Sequence, residues 1–374
     1  MYRIPTRCVH AGTIDDVREK GINSPVYTST SFGITEGEGP IYPRYMNTPN
    51  VRAVSEKIAA LEECETALVF SSGMAAISTV LFAFLNQGDH AIFQRGLYGG
   101  TMHFLEREMN RFGIHYSIAG SQSVADIQSQ IRKNTKLIFI ETPSNPLLNI
   151  TDIPAVAALA ASAGIISVAD NTFATPINQR PSRMGIDVVV HSATKYLGGH
   201  SDILAGAVAT SGRLMKPIHE TALNFGGSLN AFTLYLLERS MKTLDLRVSR
   251  INQNAMEIAR YLKSHKKISK VYYPGLPDHP GHLTASAQMS GFGGMVSFEV
   301  AGQDARSFQK RLRLIKPAVS LGALETICCS PASTSHRHLG AEGRKAEGIS
   351  EDLIRLSVGI EDAEDLKADL ERAL

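Results

Sequence analysis

The chain has 374 residues, 38 Lys and Arg against 36 Asp and Glu, a formal charge of +2, and 43% hydrophobic residues. That composition excludes intrinsic disorder, which needs low hydrophobicity and high net charge, and argues against a surface that neutralises nucleic-acid phosphates. The length suggests two to three domains, at roughly 150 residues each. The four cysteines, Cys8, Cys64, Cys328 and Cys329, form no C-x-x-C pair and make neither a zinc ribbon nor a disulfide framework. The start MYRIPTRCVHAG lacks the apolar core of a signal peptide. The longest apolar stretches, 74–85 and 153–169, do not read as a membrane span, the first being too short and the second Ala-rich and broken by Gly164. A soluble, reducing, cytoplasmic setting without a membrane or nucleic-acid partner is the expectation.

Along the chain, residues 1–60 carry five prolines and the segment GITEGEGP, and are expected to form an extended arm with one helix over 51–61. From Thr66 a rhythm begins: TALVF, HAIFQ, IHYSI, KLIFIE, IISVAD, DVVVHSA and LAGAVAT are short β-branched or apolar runs. Most are separated by segments of helical spacing, such as SSGMAAISTVLFAFL, TMHFLEREMNRF, VADIQSQIRKN and IPAVAALAASA, the last behind the cap candidates Thr151 and Asp152. Such alternation predicts βα units and a mainly parallel, buried sheet of seven strands. After about residue 224 the rhythm changes to one long helical pattern over 231–263. KVYYP, GMVSFEV and LIRLSV follow as strands, with helices over 305–314 and 363–374. The expected division is an arm and helix (1–58), an α/β domain (59–240) and a smaller C-terminal α+β domain (241–374).

Three local features suggest chemistry. Lys195 lies just past the run DVVV, flanked by Ser192 and Thr194 and followed by Gly198 and Gly199. Ligands of open α/β sheets bind beyond the carboxyl ends of the strands, and a Lys there can form a Schiff base with an aldehyde. Taken alone, a lysine in a loop reads as a surface lysine, and its context must carry the argument. Asp170 ends the run IISVA, where a carboxylate could pair with a pyridinium N–H, or serve as a turn or N-cap residue. Ser71-Ser72-Gly73-Met74 is a strand-to-helix turn suited to a phosphate, or an ordinary cap. No dinucleotide or P-loop glycine motif is present. Ser192-Ala-Thr-Lys195 is formally S-x-x-K but lacks the companion elements of a serine acyl-transferase. His191, His200, His336 and His338 show no metal-binding spacing.

Together the turn, the Asp and the Lys resemble the layout of a pyridoxal-phosphate (PLP) enzyme of the aspartate-aminotransferase fold type. The resemblance extends nearly end to end, through IYPRYMNTPN, SSGMAA, LYGGT, ETPSNP, VADNTF, HSATKYLGGHSD, SLGALETI, SPASTSHR and LIRLSVGIED. These markers resemble the Cys/Met-metabolism PLP enzymes: cystathionine γ-synthase, cystathionine β- and γ-lyases and methionine γ-lyase. The resemblance implies that Lys195 is the Schiff-base lysine and Asp170 the pyridinium partner. Gly73, Met74, Ser192 and Thr194 would donate to the phosphate. Tyr98 would stack on the ring and take part in proton transfer, with Asn145 on the ring hydroxyl and Thr172 against the ring. Arg355, with Asn145 and Ser320, would hold a small amino-acid substrate. Tyr42 and Arg44 would reach the phosphate of a neighbouring subunit, implying homodimer pairs assembled as a homotetramer.

The choice of reaction is less sharply marked. Position 100 is Gly, where typical methionine γ-lyases have Cys, and Val319 stands where many γ-synthases and animal-type γ-lyases have Glu. An apolar residue there resembles lyases of the bacterial β-lyase or methionine γ-lyase kind. The expected activity is that of a C–S lyase acting on cystathionine or a related sulfur amino acid, with cystathionine γ-synthase or methionine γ-lyase as alternatives. Cys328 and Cys329 are expected to be two buried apolar thiols.

Overall fold

The computed structural model describes residues 2–34, 36–37 and 39–374, apart from the side chain of His338. Thr35 and Glu38 of the expected arm and the imidazole of His338 therefore lie outside the described residues.

The seven apolar runs are strands of one sheet: β1 (Thr66–Phe70), β2 (His90–Phe93), β3 (His115–Ile118), β4 (Thr135–Glu141), β5 (Ile166–Asp170), β6 (Val188–His191) and β7 (Gly206–Thr210). Their order is β1-β7-β6-β5-β4-β2-β3. The pairs β2–β3, β2–β4, β4–β5 and β5–β6 are parallel, while β7 runs antiparallel to both β1 and β6. Since β7 opposes both neighbours, β1 points the same way as β6. Six strands therefore deliver their carboxyl ends to a single edge. The central strands are buried on both faces, which explains their continuous Val, Ile and Ala content.

Local signals set the helix boundaries. Ser72 accepts from the Ala75 N–H at 3.1 Å and opens the helix Gly73–Phe84. Asp152 accepts from the Ala155 N–H at 3.0 Å and opens Ile153–Ala163, which Gly164 closes in the left-handed conformation. Pro49 occupies the first turn of Pro49–Glu62, where its missing N–H leaves no bond unmade.

Three expectations need correction. The arm is not wholly extended: Ile4–His10 is a short helix, with Cys8 fully buried and the Lys57 ammonium on the Cys8 carbonyl at 3.0 Å. The single helix over 231–263 is two, Ala231–Met241 and Leu244–Ser264, because the chain departs from the helix at Lys242-Thr243 while the apolar spacing continues across the break. The segment after Tyr98 is not one regular helix. It passes from an α-helical turn (Gly99–Phe104) through a π-helical one (Leu105–Met109) to a 3₁₀ turn (Asn110–Phe112).

A second sheet contains β8 (Ile268–Tyr272), β9 (Met295–Val300), β10 (Lys316–Pro317), β11 (Ile327–Cys329) and β12 (Leu353–Ser357), in the order β10-β11-β12-β9-β8. Two of these, β10 and β11, have only two and three residues and give no run in the sequence. Arg355 sits on β12, opposite Cys329 of β11 and Ser297 of β9. The helix Leu244–Ser264 serves both cores: Leu244, Val248 and Ile251 pack under the large sheet, and Ala255, Ile258, Ala259 and Leu262 against the small one. Among the described residues no helix is long and apolar enough to cross a membrane.

Candidate active site

The shared edge of the large sheet and the middle of β12, at Arg355, border a cleft of about 640 Å³. It is lined by Gly73, Met74, Tyr98, Asn145, Asp170, Thr172, Ser192, Thr194, Lys195, Ser320 and Arg355. Of the residues that the resemblance assigns to the site, the structure thus brings all but Tyr42 and Arg44 into one cavity. Those two are exposed on the arm and do not line it.

The Lys195 ammonium donates to the Ser320 hydroxyl at 2.7 Å. Burial, with the Arg355 guanidinium second, lowers its pKa to about 8. Asp170 ends β5 with 6% of its surface exposed and accepts the Thr172 N–H at 2.9 Å. Burial raises its pKa, while the Thr172 hydrogen bonds and the His191 charge oppose the rise. Thr172 in turn accepts the Ser192 N–H at 2.8 Å, which ties the Asp strand to the Lys turn. Behind them His191 meets Glu62 at 2.6 Å, and Asn171 donates to the same carboxylate at 2.8 Å.

Arg355 reaches the Asn145 side-chain oxygen at 2.9 Å and the Ser320 carbonyl at 3.1 Å. Its Nε is buried without a hydrogen-bond partner. A buried guanidinium with a donor to spare suits a carboxylate ligand. The Thr194 hydroxyl is already committed to Ala205, donating to its carbonyl at 3.1 Å and accepting its N–H at 3.0 Å.

Several lining residues were not singled out in the sequence: Glu141, Phe173, Leu204 and the hydroxyl run Ser333, Thr334 and Ser335. Glu141 had the same signal as Asp170, a carboxylate ending an apolar run. The hydroxyl run reaches the cleft only through tertiary packing. Cys328 and Cys329 are both buried, as expected, and Cys329 also faces the cavity. His200 bonds the Gly198 carbonyl at 2.7 Å, and His336 pairs with Ser335 at 2.8 Å.

The donor set fits a PLP molecule. The helix Gly73–Phe84 points its N-terminus into the cleft, and a Cβ built on Gly73 would lie 2.8 Å from the Ser192 Cβ. The backbone there approaches the Lys turn as only glycine allows. A seat for an anion, a buried carboxylate and an amine of lowered pKa thus face one cavity large enough for the cofactor and an amino acid.

This fold and this site define a PLP-dependent enzyme of the aspartate-aminotransferase type. The chain belongs to the Cys/Met metabolism PLP-dependent enzyme family, whose description matches residues 5–374. It is similar to the cystathionine gamma-lyase of Bacillus subtilis (strain 168), 41% identical over 374 residues, covering 99% of this chain and 98% of that one. It is equally similar to the cystathionine gamma-synthase of Mycobacterium bovis, 41% identical over 99% of this chain and 96% of that protein. The crystal structure of cystathionine gamma-lyase from Lactobacillus plantarum complexed with L-serine superposes with a TM-score of 0.96. It is 40% identical, covering 100% of this chain and 98% of that one.

Proposed function

We propose that the chain is a C–S lyase that eliminates a thiol from L-cystathionine or a related sulfur amino acid. The observation that carries this reading is the make-up of the cleft mouth. Val319 and Leu204 are about two-thirds exposed there, at 68% and 67%. Among the described lining residues the carboxylates are Glu141 and Asp170, both buried. Replacement chemistry has to hold a second amino acid in place while the first reacts, and none of the described residues lining the mouth is an anion that could take its ammonium group. A Cβ at Gly100 would lie 2.4 Å from the Tyr98 ring, so the Cys typical of methionine γ-lyases would displace that ring.

PLP, when bound, supplies the electron sink that accepts the pair left at Cα. The remaining work falls to the chain. Gly73 and Met74, with Ser192, would hold the phosphate, and Thr194 would join them by turning its hydroxyl proton away from the Ala205 carbonyl; Asp170 would hold the ring nitrogen, Asn145 the ring hydroxyl, and Thr172 the ring face. Arg355, with Asn145 and Ser320, holds the substrate carboxylate in a planar fork. Lys195, its pKa lowered to about 8, takes the Cα proton as the neutral amine. In γ-elimination it must also move a proton from Cβ. Tyr98 would cover the ring and take part in proton transfer.

Tyr42 and Arg44, exposed on the arm and away from their own cleft, are assigned to a neighbouring subunit's phosphate, in homodimer pairs forming a homotetramer. A cytoplasmic location and the division at residues 58 and 240 complete the proposal. The test is a substrate panel of cystathionine, methionine, homocysteine, cysteine, and O-acyl-homoserine with cysteine. Pyruvate marks β-elimination and 2-oxobutyrate γ-elimination. Cystathionine formed from O-acyl-homoserine and cysteine, with no keto acid from any sulfur substrate, would overturn the lyase assignment in favour of the synthase.

A further inference from the structure

We propose that Glu141 is a further positioning residue of this site: its carboxyl group pins the main chain of Tyr98 and, packed beside Asp170, carries the one proton that the two carboxyl groups share. The proposal rests on the chain's being a PLP enzyme but not on which sulfur compound it cleaves.

Glu141 and Asp170 are the last residues of β4 and β5 and are direct register partners. Neighbouring strands lie about 4.8 Å apart, and partners in a parallel ladder project on the same face. The two carboxyl groups are therefore side by side, with residue exposures of only 4% and 6%. Two negative charges so close and so dry cannot both persist, and one carboxyl keeps its proton.

The surroundings decide which one. Asp170 accepts the Thr172 N–H at 2.9 Å and faces His191, itself paired with Glu62 at 2.6 Å. Glu141 accepts a single N–H, that of Tyr98 at 2.8 Å. The cation that acts on it is Arg355, and Arg355 is turned toward Asn145 and the Ser320 carbonyl, while Lys195 lines the same cavity and donates to Ser320. Burial and the Asp170 charge push Glu141 well above the usual carboxylate range. The charge rests on Asp170, where a ring nitrogen needs it, and the proton on Glu141. Gln94 also donates to the Glu141 carbonyl, so backbone and side chain of one residue fix both ends of the segment leading to Tyr98.

The test uses holoenzyme carrying Glu141→Gln or Glu141→Ala, read first by the pH titration of the bound cofactor's visible absorbance, which needs no substrate. Glutamine imitates a neutral acid and still accepts the Tyr98 N–H. Its titration midpoint should stay within about 0.3 unit of the unaltered enzyme, with kcat reduced less than about tenfold. Alanine frees Tyr98 and should lower kcat on the order of 10²-fold, as misplaced reacting groups do. A midpoint lowered by about one unit or more in Glu141→Gln would mean that an anion had been removed, and would overturn the protonation. An unchanged kcat in Glu141→Ala would overturn the anchoring of Tyr98. The near-isosteric glutamine variant keeps the question answerable if alanine does not fold.

Discussion

On the floor of the cleft, Asp170, Glu141, His191 and Glu62 are all buried, and each is held by a hydrogen bond or ion pair at 2.6 to 2.9 Å. At the mouth, Val319 and Leu204 present apolar side chains to solvent, and Tyr98 is 45% exposed. The floor lies at the ends of strands whose register leaves no freedom, so a lost partner strands a buried charge. The mouth is built from loops, where a new side chain costs little. Chemistry common to a family belongs on such a floor, and the choice of substrate on such a mouth.

The largest effect expected is at the boundary between the two. Lys195→Ala should lower turnover by about 10³-fold or more, the scale of lost acid–base and nucleophilic catalysis. It should also remove the visible absorbance of the bound cofactor. A coloured variant that still forms keto acid would break the comparison at its centre. Next comes Arg355→Ala, which removes charge-assisted bonds worth about 1.5–3 kcal/mol. It should raise KM about 10- to 100-fold with a smaller fall in kcat. An unchanged KM would place the substrate carboxylate elsewhere.

A third measurement concerns the lysine alone. Its lowered pKa, about 8, means that the neutral, reactive amine gains tenfold per unit as pH rises toward that value. Stopped-flow capture of PLP by the cofactor-free chain should accelerate accordingly between pH 6 and 8 and level off above. A flat profile would show that the amine is already neutral at pH 6. The smallest effect belongs to the mouth. Val319→Glu should leave stability within about 0.5 kcal/mol. It should raise the ratio of replacement to elimination by about threefold, in line with an exposed ion pair. A loss of folding would show the mouth to be as constrained as the floor.

Asp170 was legible because it ends an apolar run, and Lys195 because it lies in the turn just past one; Glu141 carried the same signal as Asp170 and was passed over, while Glu62 closes a helix and gave no such signal. The antiparallel insertion of β7 was not legible, since a buried strand looks alike in either direction. The short strands β10 and β11 have too few residues to show any period, and the break at Lys242-Thr243 is invisible because apolar spacing continues through it. The walls contributed by Ser333, Thr334 and Ser335 come from far along the chain and meet the cleft only once both sheets have packed. The arm gave away its prolines but not the helix Ile4–His10, which leans on the helix Pro49–Glu62 through Lys57.

The helix Leu244–Ser264 reaches further than its distance from the cleft suggests. Arg247, in its first turn, is buried and donates to the carbonyls of Tyr196 at 2.8 Å, Leu197 at 3.5 Å and Ser240 at 2.9 Å. The two peptide groups following the reactive lysine are thus guyed to an element whose other end is embedded in the second core. Severing the gene at the start of that helix would not yield two modules. The leading fragment would keep its lysine on a slackened turn, and the trailing one would lose half the apolar face of its longest helix. The molecule is spliced along this helix rather than jointed there, and a calorimeter should record the melting of both cores as one cooperative event.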